Sequence, residues 1–422
     1  MKVIISFIFL IFKKKCYICK VFYILKIDKM QMIQERLRTW FLLIVLTLVG
    51  TVSLNSCSSH EDDSSERRNI KAIADKVWTF SQSHPDGFTL NIRTMTEPTE
   101  GIAVSYAATQ NSHSRDQLDK VVRHALQNDG YVGGWYNSEE GLYYFDSTRL
   151  FPETSLKEAI KFGRDNNQYS AFILSSYTDV PLHGSVAKIV DRGTILMGTT
   201  GDYRPLSFHE EDGTYWGFCL EVAKEIAKSM DVGVEFAETS WPTLTADVLA
   251  EPQTFDLAIG GITITDARRE TMLMSEGYLG NGKTILCRAA DADRFQSLAD
   301  IDKPEVRVMV NPGGLNEKFA HENLTQATII VHQKNEEIPS LVAEGEADVM
   351  ITEITEAPYY VQTDTRLAAP LLHAPFTHGE IGVLMRKGQD DLLQMVNATI
   401  RRMKSDGSLR QLHEKYGLVY IY

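Results

Sequence analysis

Short apolar runs alternate with helical segments through the C-terminal half of this 422-residue chain, and that alternation restricts its fold more than any other feature. Residues 187–193 read as a helix stopped by Gly193. A buried strand, Thr194-Ile-Leu-Met-Gly198, follows, then a helix over 220–229 and a strand over 232–237. A strand–helix–strand order of this kind implies a parallel α/β sheet. Asp256-Leu-Ala-Ile-Gly260 adds another short strand ending at a glycine pair. A second α/β lobe starts near Pro304, with strands at 306–310, 328–331 and 348–351. The chain then returns through a strand at 379–385 and two helices within 390–415. The expected fold is therefore α/β: a two-lobed, hinged clamp, lobe 1 over about 186–290 and 378–422, lobe 2 over about 304–375.

Such clamps bind ligands beyond the carboxyl ends of their strands, which puts Asp202, Gly261 and Thr263 at one binding edge. In the second lobe the turn Asn311-Pro-Gly-Gly314 opens a helix near Asn316, a natural anion cradle. Two carboxylates, Glu353 and Glu356, follow the 348–351 strand three residues apart. Read as the start of a helix, that spacing puts them on one face. Like charges held close would keep one member protonated and able to act as an acid near neutral pH. Two solvated glutamates favouring a helix N-terminus fit the same spacing.

The front of the chain belongs to export. Arg36 and Arg38 precede the apolar run Trp40-Phe-Leu-Leu-Ile-Val-Leu-Thr-Leu-Val-Gly, and Leu54-Asn-Ser-Cys57 closes it. This is the order of a lipoprotein signal over 1–56, with Cys57 as the lipidated residue; the run is short for a spanning helix. Residues 1–29 differ in composition and suggest a start codon assigned too early. Residues 57–68 are polar and acidic and read as a solvated tether. A compact α+β unit is expected over 69–180, and no motif in it assigns an activity. Residues 1–56 carry nine Lys or Arg and two Asp or Glu, so the formal charge of −13 becomes −20 without them. That balance argues against a nucleic-acid partner. Cys219 and Cys287 lack zinc-type spacing, and no metal site is expected.

The C-terminal half resembles the amino-acid-type periplasmic solute-binding proteins, on Thr263-Ile-Thr-Asp-Ala-Arg268 and on Met403-Lys-Ser-Asp-Gly-Ser-Leu409. Within that superfamily it looks like the cyclohexadienyl (prephenate/arogenate) dehydratase type. Four blocks carry this closer likeness: Gly198-Thr-Thr-Gly-Asp202-Tyr-Arg-Pro205, Thr239-Ser-Trp241-Pro, Gly282-Lys283-Thr284 and Asn311-Pro-Gly-Gly-Leu-Asn316-Glu-Lys-Phe319. The segment 348–356 belongs with them.

The resemblance implies a type II periplasmic-binding-protein clamp, here preceded by a small α+β domain and a lipoprotein signal. It implies a small-molecule carboxylate substrate, no metal or organic cofactor, and Glu356 as the catalytic acid. Arg268 would grip a carboxylate with its planar fork, helped by Thr263 and nearby amides, those of Gly261 and Gly314 among them. Lys283 would hold a second carboxylate, Trp241 would wall the ring, and Asp202 would orient the substrate. Asn311 and Asn316 either bond the substrate or stabilise the turn and helix cap. Glu353 departs from the family's usual Asp, and Leu315 from a small hydroxyl residue. A non-catalytic receptor serving an ABC transporter permease is the rival expectation.

Overall fold

Strand and helix in this molecule follow from residue type and spacing with few surprises. The computed structural model describes residues 59–422; the signal region and Cys57 lie outside them. The chain divides into Met1–Ile73 and Ala74–Tyr422, and a helix, Ser59–Ser81, spans the division. The expected tether is thus helical from Ser59. Among the described residues no helix is long and apolar enough to cross a membrane.

Six antiparallel strands build the first part of the larger unit: β1 (Phe88–Asn91), β2 (Ile102–Ser105), β3 (Tyr131–Asn137), β4 (Leu142–Phe151), β5 (Ser170–Ile173) and β6 (Thr178–Pro181). Their order is β1-β3-β4-β2-β5-β6. Helices Arg115–Gln127 and Leu156–Asp165 pack against this sheet. The short helix Ser185–Arg192 ends at Gly193, whose φ of 79° is a left-handed cap. Its Val186, Ala187, Ile189 and Val190 join one buried apolar cluster that contains Leu156, Ile160 and Leu182 on one side and Ile195, Met197 and Phe218 on the other.

Lobe 1 is a five-stranded sheet in the order β11-β7-β12-β21-β13. Its strands are β7 (Thr194–Thr199), β11 (Gly233–Glu238), β12 (Leu257–Ala258), β13 (Met272–Met274) and β21 (Leu384–Arg386). β7 runs parallel to β11 and β12, which confirms the strand–helix–strand reading, with Phe218–Ser229 as the crossover helix. A small sheet, β8 (Asp202–Tyr203), β9 (Ser207–His209) and β10 (Tyr215–Trp216), carries the loop after β7.

Two strands cross between the lobes as a pair: β14 (Leu279–Asn281) and β20 (Gly379–Ile381). Lobe 2 is ordered β17-β16-β18-β15-β19, from β15 (Lys283–Arg288), β16 (Arg307–Val310), β17 (Thr328–Val331), β18 (Val349–Glu353) and β19 (Leu367–Ala368). Its central strands are apolar on both faces. Val349 and Ile351 enter one buried cluster and Met350 the other, just as Ile285 and Cys287 oppose Leu286. Cys219 and Cys287 are buried free thiols.

The paired glutamates do not begin a helix together. Glu353 is the last residue of β18, a turn follows, and Glu356 caps the helix Ala357–Thr363. The two therefore share no helix face, and their side chains find different partners.

Candidate active site

Register creates the centre of the site. Lys283 opens β15 directly opposite Glu353 at the end of β18, so both side chains leave the same face of the sheet. They meet as a buried ion pair, Nζ to Oε1 at 2.5 Å. Asn316, in the first turn of helix Leu315–Asn323, accepts a second bond from Lys283 Nζ at 2.6 Å. From lobe 1, the Tyr203 hydroxyl donates to the other Glu353 oxygen. Burial alone would raise the Glu353 pKa. The Lys283 charge and hydrogen bond, with Tyr203 and Asn281 added, outweigh it and hold the carboxylate below its usual range.

Glu356 stands in the opposite state. It is fully buried. Its oxygens meet the Thr352 hydroxyl and, at 3.3 Å, Asn335 Nδ2. Burial pushes its pKa to about 8; Thr352 and Asn335 pull downward, and the charges of Glu353 and Asp202 push further up. A carboxyl group so placed is neutral at pH 7 and has a proton to give.

Arg268 lies in the helix Asp266–Thr271, whose N-cap Thr265 accepts from the Arg268 amide at 3.2 Å. Its guanidinium donates to the Thr263 carbonyl at 2.5 Å. Among the described residues that is its one side-chain bond, which leaves a fork of N–H groups for a carboxylate. The Thr263 hydroxyl itself accepts from Asn281. Gly261 has a φ of 89°, and a Cβ there would lie 2.4 Å from the Tyr203 ring, so only glycine fits that wall.

Nine of the eleven predicted binding and catalytic residues line one cavity: Trp241, Gly261, Thr263, Arg268, Lys283, Asn311, Gly314, Asn316 and Glu353. Asp202 and Glu356 do not. Asp202 turns its carboxylate to the Trp241 indole, which donates at 3.0 Å, so it orients the wall rather than meeting the cavity. Burial raises its pKa to about 6. Glu356 sits behind the wall because the turn after β18 carries it past Glu353. Tyr203, Leu315 and Asn335 also line the cavity. Tyr203 was one position away from the expected Asp202, and β-strand alternation sends neighbours to opposite sides. No local pattern marks Asn335.

The lobes are closed on each other. Tyr203 reaches Glu353 across the cleft, and Asn335 Nδ2 donates back to the Asp202 carbonyl at 3.1 Å. The cavity left between them is about 30 Å³, measured to water centres, or room for about two waters. A ring-sized ligand enters only when the lobes part, which breaks the Tyr203–Glu353 and Asn335–Asp202 bonds.

Residues 195–419 match the sequence profile of the bacterial extracellular solute-binding proteins, family 3. The chain is 35% identical over 229 residues to the cyclohexadienyl dehydratase of Pseudomonas aeruginosa, a match covering 54% of this chain and 84% of that protein. It is 28% identical over 234 residues to the L-cystine-binding protein TcyJ of Escherichia coli, covering 55% and 86%. Among solved structures, the ancestral amino acid-binding protein AncCDT-1, a precursor of cyclohexadienyl dehydratase, is 36% identical with a TM-score of 0.51, covering 55% of this chain and 99% of that one.

Proposed function

The chain belongs to the bacterial extracellular solute-binding proteins, family 3, and we propose that within that fold it works as a cell-envelope cyclohexadienyl dehydratase. Its substrate is prephenate, giving phenylpyruvate, or arogenate, giving phenylalanine. One observation carries the reading: a fully buried glutamate, whose burial pushes its pKa to about 8, stands behind a cleft lined by an arginine with free N–H groups. A protein that only binds has no use for such an acid. Anchoring through Cys57 belongs to the same proposal.

In this reading Arg268 grips one substrate carboxylate. Lys283 turns from Glu353 to the second substrate charge, and Trp241 walls the ring. The ring carboxylate leaves as carbon dioxide, and its bonding electrons move through the ring and expel the ring hydroxyl. Glu356 supplies the proton that lets the hydroxyl depart as water, and solvent returns one afterwards. Aromatisation drives the step, so positioning and one proton are the protein's contribution.

A second reading, a receptor passing an amino acid to a transporter permease, is favoured by one observation. Glu353, not Glu356, borders the cavity beside Arg268, giving the opposite charges that the two ends of an amino acid require. The purified full-length protein incubated with prephenate separates the two. Phenylpyruvate absorbance should grow with wild type and fall at least a hundredfold with Glu356→Gln, while thermal stabilisation by prephenate persists. Stabilisation without turnover in wild type would leave the receptor.

A further inference from the structure

Behind the cavity wall lies a polar junction that the reaction scheme leaves without a role. Asn335 begins the single turn Asn335–Glu337 of lobe 2, is 3% exposed and lines the cavity. Its Nδ2 makes two bonds: to the Asp202 carbonyl in lobe 1 at 3.1 Å and to Glu356 Oε1 in lobe 2 at 3.3 Å. A backbone carbonyl only accepts, so the amide end facing it is the nitrogen, and both of its N–H groups are spoken for. The other end, Oδ1, is buried with no partner among the described residues.

We propose that Asn335 is a positioning residue: its amide holds the Glu356 carboxyl in place and makes that hold depend on closure of lobe 1 onto lobe 2. The Asn335 N–H and the Thr352 hydroxyl both donate to the ionised Glu356 carboxylate, at Oε1 and Oε2; in the acid form the amide still needs Oε1 as acceptor, so the proton takes Oε2 and the Thr352 hydroxyl rotates to accept it. When the lobes part, the Asp202 carbonyl withdraws and the amide loses the bond that fixes its plane. The Asn335–Glu356 bond within lobe 2 then depends on an amide free to rotate, and Thr352 is the one partner whose hold on Glu356 is independent of closure. Closure around a ligand restores the junction, so the acid is set only when the cleft is shut. Oδ1, a buried acceptor at the cavity wall, calls for a donor, and the departing hydroxyl supplies one.

The catalytic consequence rests on the dehydratase reading; the hold on Glu356 does not. Full-length protein carrying ¹³C at its glutamate carboxyls, with the Glu356 signal assigned through Glu356→Gln, allows that carboxyl to be titrated directly. Loss of an N–H that favours the ionised form should raise its midpoint by half a pH unit or more in Asn335→Ala. Asn335→Asp, which is isosteric and adds a like charge, should raise it further. An unmoved midpoint in both variants overturns the proposal whether or not the protein turns prephenate over. With a turning-over wild type, both variants should lose about tenfold in kcat, keep KM within twofold, and shift the alkaline limb of the rate upward with the midpoint. A thermal midpoint and kcat that fall together, with the limb unmoved, would mean a merely structural asparagine and contradict the proposal.

Discussion

Glu353 and Glu356 stand three residues apart, yet one is held ionised and the other neutral, because one meets an ammonium and the other does not. Sequence spacing singled out the pair and the need for one neutral member. It placed them on one helix face, whereas strand, turn and cap separate them. Nor does spacing reveal that Lys283, seventy residues earlier, is the register partner of Glu353. Removing one member of such a buried pair strands the other, at a cost of about 3–5 kcal/mol. Lys283→Met should lower unfolding free energy in urea by that amount, and adding Glu353→Gln should recover most of it; a loss under about 1 kcal/mol in Lys283→Met alone would show the pair to be idle. Glu353, held low, contributes stability above its ordinary pKa of 4.5 that is lost as pH falls through its folded value. Glu356 behaves oppositely. Its share is intact below 4.5 and drains away as pH rises from there to about 8, because the unfolded chain ionises first. Glu356→Gln should therefore flatten the decline in thermal midpoint between pH 5 and pH 9. A wild-type midpoint that rises over that range would contradict the assignment.

At the scale of elements, the helices and central strands were legible from periodicity, and the exceptions have local causes. β6, Thr178–Pro181, leaves no clear periodicity because it is a four-residue edge strand ending in proline. The expected strand at 256–260 shrinks to Leu257–Ala258, since Gly260 and Gly261 turn away with φ of 143° and 89°. The crossing between lobes rests on Gly282, between β14 and β15. A Cβ there would lie 2.2 Å from the Thr377 carbonyl, a backbone atom with little freedom to move. Gly282→Ala should cost about 1–3 kcal/mol, the range of overpacked sites, and weaken ligand binding by misaligning Lys283. Urea unfolding and prephenate binding check this; an alanine variant as stable and as tight as wild type would refute the tight crossing.

For the whole molecule, the α+β sheet and lobe 1 share a single buried apolar cluster through the helix Ser185–Arg192. Asp391, in the returning helix of lobe 1, accepts the Val186 amide at 2.8 Å and strengthens the joint. Sequence drew a boundary between 180 and 186, where turn residues cluster, because packing across it leaves no trace in local composition. Shared burial predicts shared opening: amides of β3 and β4 should exchange with the same free energy as those of β7. Exchange of β3 and β4 at several kcal/mol lower cost would make the sheet an independent appendage. The binding half was legible because its turns and glycines are contiguous motifs, while Tyr203 and Asn335 act only by reaching across the cleft. Behind the closed lobes stands an acid kept neutral until a ring is clamped beside it. Initial rates of phenylpyruvate formation from prephenate across pH 6–10 test it most directly. Turnover should be level through neutrality and fall about tenfold per unit above about pH 8, as the Glu356 proton is lost. Absence of turnover at every pH, or a rate still climbing past pH 9, would contradict it.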